Sequence, residues 1–197
     1  MRFLKNCICL ICWMFTFFVN GQENSSPDFE ILEYGLKRNN IHENAKAIIA
    51  DRWGISFKSV ANCLISPQLK DSADRSNKRT DSLISLKYGE NWHQIFEKEI
   101  EAEEKLVERL IQRIKMMDCI SILNSALAKD NNEVYYLVYP YSKSRSEKRY
   151  EVFVYGWGTI DKKTDFVCYY KFKLHKNRKN IELITDKPMF LFVEEIP

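Results

Sequence analysis

Hydrophobic positions change their period partway along the chain. Between residues 92 and 117 they fall at Trp92, Ile95, Phe96, Ile100, Val107, Leu110, Ile114 and Met117. Most of these offsets are three or four, which places the side chains on one face of a helix. Glu103 and Glu104 interrupt the stripe. Acids crowd the first half of this segment, and Arg113 and Lys115 lie near its end, as the helix dipole favours. Beyond about residue 131 the period becomes two. EVYYLVYP (133–140), YEVFVYGW (150–157), DFVCYYKFKL (165–174), IELIT (181–185) and MFLFVEE (189–195) predict five strands. Their connections are short, so an antiparallel meander is the simplest topology.

Upstream, the pattern predicts a helical region over 28–52, with Asn40 as a cap and Gly54 as its stop. Residues 55–66 are rich in β-branched side chains and read as a strand. Ser66-Pro67 is a helix start, because a Ser oxygen accepts from first-turn amides and Pro loses no useful donor there. That helix runs to Tyr88, stays polar through DSADRSNKRTDS, and stops at Gly89. Asn91 and Gln94 then form the spacing of a capping box for the long helix.

Helices first and strands after predict an α+β class, with 22–197 as one domain, 28–118 mainly helical and 132–196 an antiparallel sheet. The order of parts is similar in arrangement to cystatin-like and NTF2-like folds, and that resemblance implies a long helix lying across one sheet face. Alternation then places Phe166, Cys168, Tyr170, Phe172 and Leu174 toward the helix, with Val167 and Tyr169 away from it. Tyr135, Tyr139, Phe153, Tyr155 and Trp157 add aromatic candidates for the far face, which the helices of 28–52 and 67–88 are expected to cover. Gly156-Trp157-Gly158 reads as a turn or bulge at a strand end.

The N-terminus changes the compartment. Arg2 and Lys5 precede an apolar stretch over 7–19, and Val19-Asn20-Gly21 precedes Gln22. This is the layout of a secretory signal over 1–21, and the stretch is short for a membrane span. The expectation is a secreted or periplasmic protein cleaved near Gly21, with an N-terminal membrane anchor as the alternative. Losing Arg2 and Lys5 lowers the formal charge from +3 to +1, so electrostatic arguments must be local. Cleavage also removes Cys7, Cys9 and Cys12. Of the remaining Cys63, Cys119 and Cys168, a Cys63–Cys119 disulfide is the candidate pairing in an oxidising compartment, against three buried thiols. Their spacings match no zinc pattern, and no metal or other cofactor is expected.

Catalytic motifs do not emerge. His42, His93 and His175 share no spacing with one another, and no nucleophile elbow, phosphate loop or Cys-x-x-Cys is present. Local charge is more informative. YSKSRSEKRY (141–150) connects two predicted strands, and LHKNRKN (174–180) connects two others. In a meander, alternate connections share one end of the sheet. Lys143, Arg145, Lys148 and Arg149 should therefore gather with Lys173, Lys176, Arg178 and Lys179, with Glu147 the lone acid in either loop. Such a patch suits an anionic lipid, an acidic polysaccharide or an acidic protein surface. Nucleic acid is disfavoured for an exported chain, although Tyr141 and Tyr150 offer stacking. Basic tips also serve simply to keep hairpins soluble. The reading is a non-catalytic binding or interaction domain. Its rivals are an enzyme with a site between helices and sheet, and a self-associating protein using an aromatic sheet face.

Overall fold

The computed structural model describes residues 27–61, 64–142, 144 and 146–191. The expected signal 1–21, Cys63, Lys143 and Arg145 lie outside them. The elements are β1 (Phe29–Tyr34), α1 (Asn40–Trp53), β2 (Ile55–Ala61), α2 (Pro67–Tyr88), α3 (Trp92–Lys115), α4 (Asp118–Ala128), β3 (Tyr135–Pro140), β4 (Arg149–Ile160), β5 (Lys163–His175), β6 (Ile181–Thr185) and β7 (Met189–Phe190). The fold is α+β, with helices concentrated in the N-terminal half and an antiparallel sheet in the C-terminal half. No described helix is long and apolar enough to cross a membrane.

Local signals account for most boundaries. The cap of α1 lies one residue before the expected Asn40: Asn39 Oδ1 accepts from His42 N at 2.9 Å. Gly54 closes it at φ 67°, a left-handed conformation that glycine adopts without a Cβ clash. Ser66 caps α2 by accepting from Leu69 N at 3.2 Å, with Pro67 in its first turn. The capping box at Asn91 does not form. That side chain makes no cap bond, and Trp92 N donates to Gly89 O instead.

The expected helix over 28–52 is corrected at its front. Residues 29–34 form β1, which pairs in parallel with β2, and α1 is the crossover between them. FEILEY has no clean alternation, and its strand state comes from the distant partner 55–61. The four strands β3-β4-β5-β6 form the expected meander, and β7 continues along the edge of β5 that β6 occupies. Between β6 and β7 stands Pro188, which has no N–H to give a ladder. The β4–β5 hairpin turns on Asp161 (φ 49°) and Lys162 (φ 67°), with Ile160 opposite Lys163. Two positive φ values suit a two-residue turn whose twist matches the strands.

One core joins helices to sheet. Ile48, Ile49, Phe96, Ile100, Leu110 and Ile114 pack with Val138, Val152, Val154, Phe172 and Leu174. A bulge between Val154 and Tyr155 shifts the pairing, so Val154 faces Tyr170 but Tyr155 faces Cys168. This corrects the alternation expected for β5. Tyr170, Phe172 and Leu174 do face the helices, but Phe166 and Cys168 pass to the opposite face with Trp157 and Tyr155. Gly156 and Gly158 are inside β4 rather than at a turn. A Cβ at Gly156 would meet Glu133 O at 2.7 Å, and one at Gly158 would meet the Tyr169 hydroxyl at 2.1 Å. Both glycines therefore permit close approach.

Two strand edges are closed by side chains. Asn44 of α1 donates to Val138 O (2.9 Å) and accepts from Val138 N (3.0 Å) on the edge of β3. Asn77 of α2 does the same to Leu32 of β1, at 2.8 Å in both directions, and Thr80 donates to Glu30 O. A carboxamide offers one donor and one acceptor, as a neighbouring strand would.

Candidate functional site

The meander brings its two basic connections together. Arg149 pairs with His175 across β4 and β5, and Lys176 N donates to Lys148 O at 2.7 Å. Lys148, Arg149, Lys176, Arg178 and Lys179 are exposed, and Lys173 is half-exposed. Tyr141 is the aromatic centre of this end. The Lys173 ammonium lies 3.8 Å from its ring centroid and the Arg149 guanidinium 4.5 Å. Two cations over one ring are attracted by the ring but repel each other.

Glu147 orders the first loop. Its Oε1 accepts from Lys148 N (2.8 Å), Arg149 N (2.7 Å) and Arg149 Nε (3.3 Å). The Arg149 side chain, with help from these amides, lowers the Glu147 pKa to about 2. The second loop is held from below by Arg113, whose guanidinium donates to His175 O (3.0 Å) and Arg178 O (2.6 Å). The sequence places Arg113 only as a favourable helix-end cation, and its loop contacts depend on tertiary packing. Burial, then Arg178 and Lys148, push the His175 pKa down, so the neutral imidazole is favoured in the basic surroundings.

A second charge cluster is sealed inside. Arg52 of α1 donates to Glu103 of α3 through Nη1 (2.9 Å) and Nη2 (3.3 Å). Tyr150 of β4 donates to Glu103 Oε1 at 2.9 Å and accepts from Arg52 at 3.3 Å. The Arg52 and Glu103 side chains are 9% and 8% exposed, respectively. Burial, reinforced by the Glu103 charge, pushes the Tyr150 phenol up to about 12. The acid that breaks the apolar stripe of α3 thus serves as the joint between α1, α3 and the sheet. Tyr150 belongs to this joint rather than to the basic tip, so it offers no stacking face there.

The aromatic face of the sheet stays outside the core cluster. Trp157 lies 4.4 Å from Phe166 between ring centroids, and Tyr155 and Tyr135 complete the group. Trp157 is 42% exposed. The helical layer packs on the opposite face, which corrects the expectation that α1 and α2 cover these rings.

A cleft of about 610 Å³ runs between α1, β2 and the far side of β3, lined by residues that include Lys46, Phe57, Leu137, Tyr139 and Tyr155. Among the described residues no histidine or cysteine lines it. His42 sits in an adjoining hollow, 3.4 Å from Glu104 and 3.5 Å from Arg38. Among the described residues no Ser, Thr or Cys side chain is hydrogen-bonded to a histidine, and no group of three acids, histidines or cysteines could hold a metal. Cys119 is half-buried at the start of α4, and its expected disulfide partner lies outside the described residues. Comparisons with protein families, characterised proteins and solved structures find no match.

Proposed function

We propose that the protein is an exported, non-catalytic binding domain that contacts anionic components of the cell envelope through the basic end of its sheet. One observation carries the reading: Lys173 and Arg149 converge on the exposed Tyr141 while neighbouring Lys176, Arg178 and Lys179 stay exposed. An arrangement that only kept a hairpin soluble would spread its charges, because like charges held together cost energy in the absence of a counterion. Arg113 and Glu147 hold both loops in place, so an anion would meet cations already positioned. The enzyme reading finds less support, since among the described residues no histidine or cysteine stands in the wall of the cleft between α1, β2 and β3. The exposed Trp157 cluster favours a second reading, self-association through the aromatic face, which sizing across protein concentrations tests.

The first reading is tested by co-sedimentation with phosphatidylglycerol vesicles at low and high salt. A variant with Lys143, Arg145, Lys148 and Arg149 changed to Ser runs alongside. Each basic residue near an anionic surface contributes roughly 1 kcal/mol. The variant, short of four such residues, should therefore bind on the order of a thousandfold more weakly. Equal binding of both proteins, or none by either, removes the lipid form of the proposal.

A further inference from the structure

We propose that the open edge of β2 accepts an extended peptide from a partner protein, added as a third strand beside β1 and β2. In a parallel ladder, the backbone groups of successive residues point to opposite sides. Phe29 N donates to Gly54 O, and Phe29 stands opposite Ile55. Ser56 and Lys58 therefore turn their amides and carbonyls toward β1, and Ile55, Phe57 and Ser59 turn theirs away. The contacts on β1 agree, since Leu32 and Glu30 face away from β2 and meet Asn77 and Thr80.

The strand edges are treated differently. On β1, Asn77 and Thr80 occupy the outward backbone groups, and on β3 Asn44 occupies those of Val138. At the other side of the meander, the edge formed by β6 and β7 is interrupted around Pro188. Among the described residues nothing bonds the outward groups of Ile55, Phe57 and Ser59. All three residues line the 610 Å³ cleft. An unpaired strand edge that borders a cleft is the geometry of β-strand addition, in which main-chain bonds supply affinity and facing pockets supply selectivity.

The opposite wall suggests the side-chain chemistry. Leu137, Tyr139 and Tyr155 present apolar surface there. Lys46 is paired with Glu33, so this part of the lining is charge-compensated and favours an uncharged segment over an acidic or basic one. A second copy could offer only its own β2 edge, since Asn77 and Thr80 occupy groups on β1, Asn44 occupies those of Val138 on β3, and the β6–β7 edge is interrupted. Such pairing would depend on protein concentration.

The test uses the full chain and a phage-displayed library of proline-free decapeptides, from which a selected peptide is synthesised. Backbone amide exchange is followed by NMR. In the free protein, Phe57 and Ser59 should exchange quickly while Ser56 and Lys58 are protected, Ile55 being buried at the foot of the edge. With peptide bound, the two fast amides should slow at least about tenfold, the scale of one hydrogen bond gained at an edge. Ser59→Pro removes one outward N–H and leaves the β1 ladder intact, as proline is tolerated on open edges. It should fold normally and bind the peptide about tenfold more weakly. The proposal is overturned by a library that yields no binder, by a peptide that perturbs another surface, or by unchanged binding in Ser59→Pro. Protection of Phe57 and Ser59 in the free protein also overturns it. Concentration-dependent protection would assign the edge to a second copy, and concentration-independent protection to the chain itself.

Discussion

Arg52 and Arg149 each touch a glutamate and lie near a tyrosine, but one is sealed between three elements and the other opens to solvent. Arg52 meets its acid through two bonds, and Tyr150 bonds both partners. Arg149 also meets an acid, Glu147, but that acid is shared with two loop amides and is surrounded by Lys148, Lys173, Lys176 and Arg178. Inside, positive charge is matched because an unmatched buried ion is costly. At the end of the sheet, positive charge exceeds negative because water and counterions screen it. The buried cluster therefore belongs to the fold. The open one is where the proposed ligand would bind.

The sharpest way to break this contrast is to unbalance the buried cluster. Glu103→Ala leaves Arg52 buried without its acid and should cost about 3–5 kcal/mol in urea unfolding. Replacing both residues together, as Arg52→Met with Glu103→Leu, should recover most of that loss, since apolar replacements often match a buried pair. If the single variant costs no more than the double, the charge balance is not what the site requires.

A smaller loss is expected at the edge clasp. Asn44→Leu strands the N–H and C=O of Val138 and should cost about 2 kcal/mol. Tyr150→Phe removes a hydroxyl but leaves the arginine–glutamate pair, and should cost about 1 kcal/mol by the same measurement. The basic end should behave differently. Changing Lys148, Arg149, Lys176 and Arg178 to Ser should move stability by less than about 0.5 kcal/mol while altering the salt dependence of anion binding.

The mildest prediction concerns pH. Glu147 titrates at about 2 when folded, below the ordinary carboxylate value. Its contribution to stability is therefore fully present above the ordinary carboxylate range and is lost as pH falls toward 2. Carboxyl NMR should give that low midpoint in the native chain and a higher one in Arg149→Ser. An unchanged midpoint would mean that Arg149 does not hold Glu147.

Elements with their own periodicity or punctuation were legible in the sequence. The α2 helix follows from Ser66-Pro67 and Gly89, and the meander from alternation and short connections. The gathering of basic loops was legible for the same reason, because alternate turns share an end. What was not legible depends on distant partners. β1 needs β2, the burial of Glu103 needs Arg52, and Arg113 acts on a loop far from it in sequence. The bulge beside Tyr155 carries no local signature, yet it inverts the faces of Phe166 and Val167. A one-residue shift in register exchanges the two faces of a strand.

In the proposed function the basic end, and not the aromatic face, meets the ligand. Residue-level NMR on the full chain with anionic bicelles tests it most directly. Amide shifts should be confined to 147–149 and 173–179, with the His175 pKa rising as an anion offsets Arg178 and Lys148. Shifts centred on Tyr135, Tyr155, Trp157 and Phe166, with His175 unmoved, would contradict it.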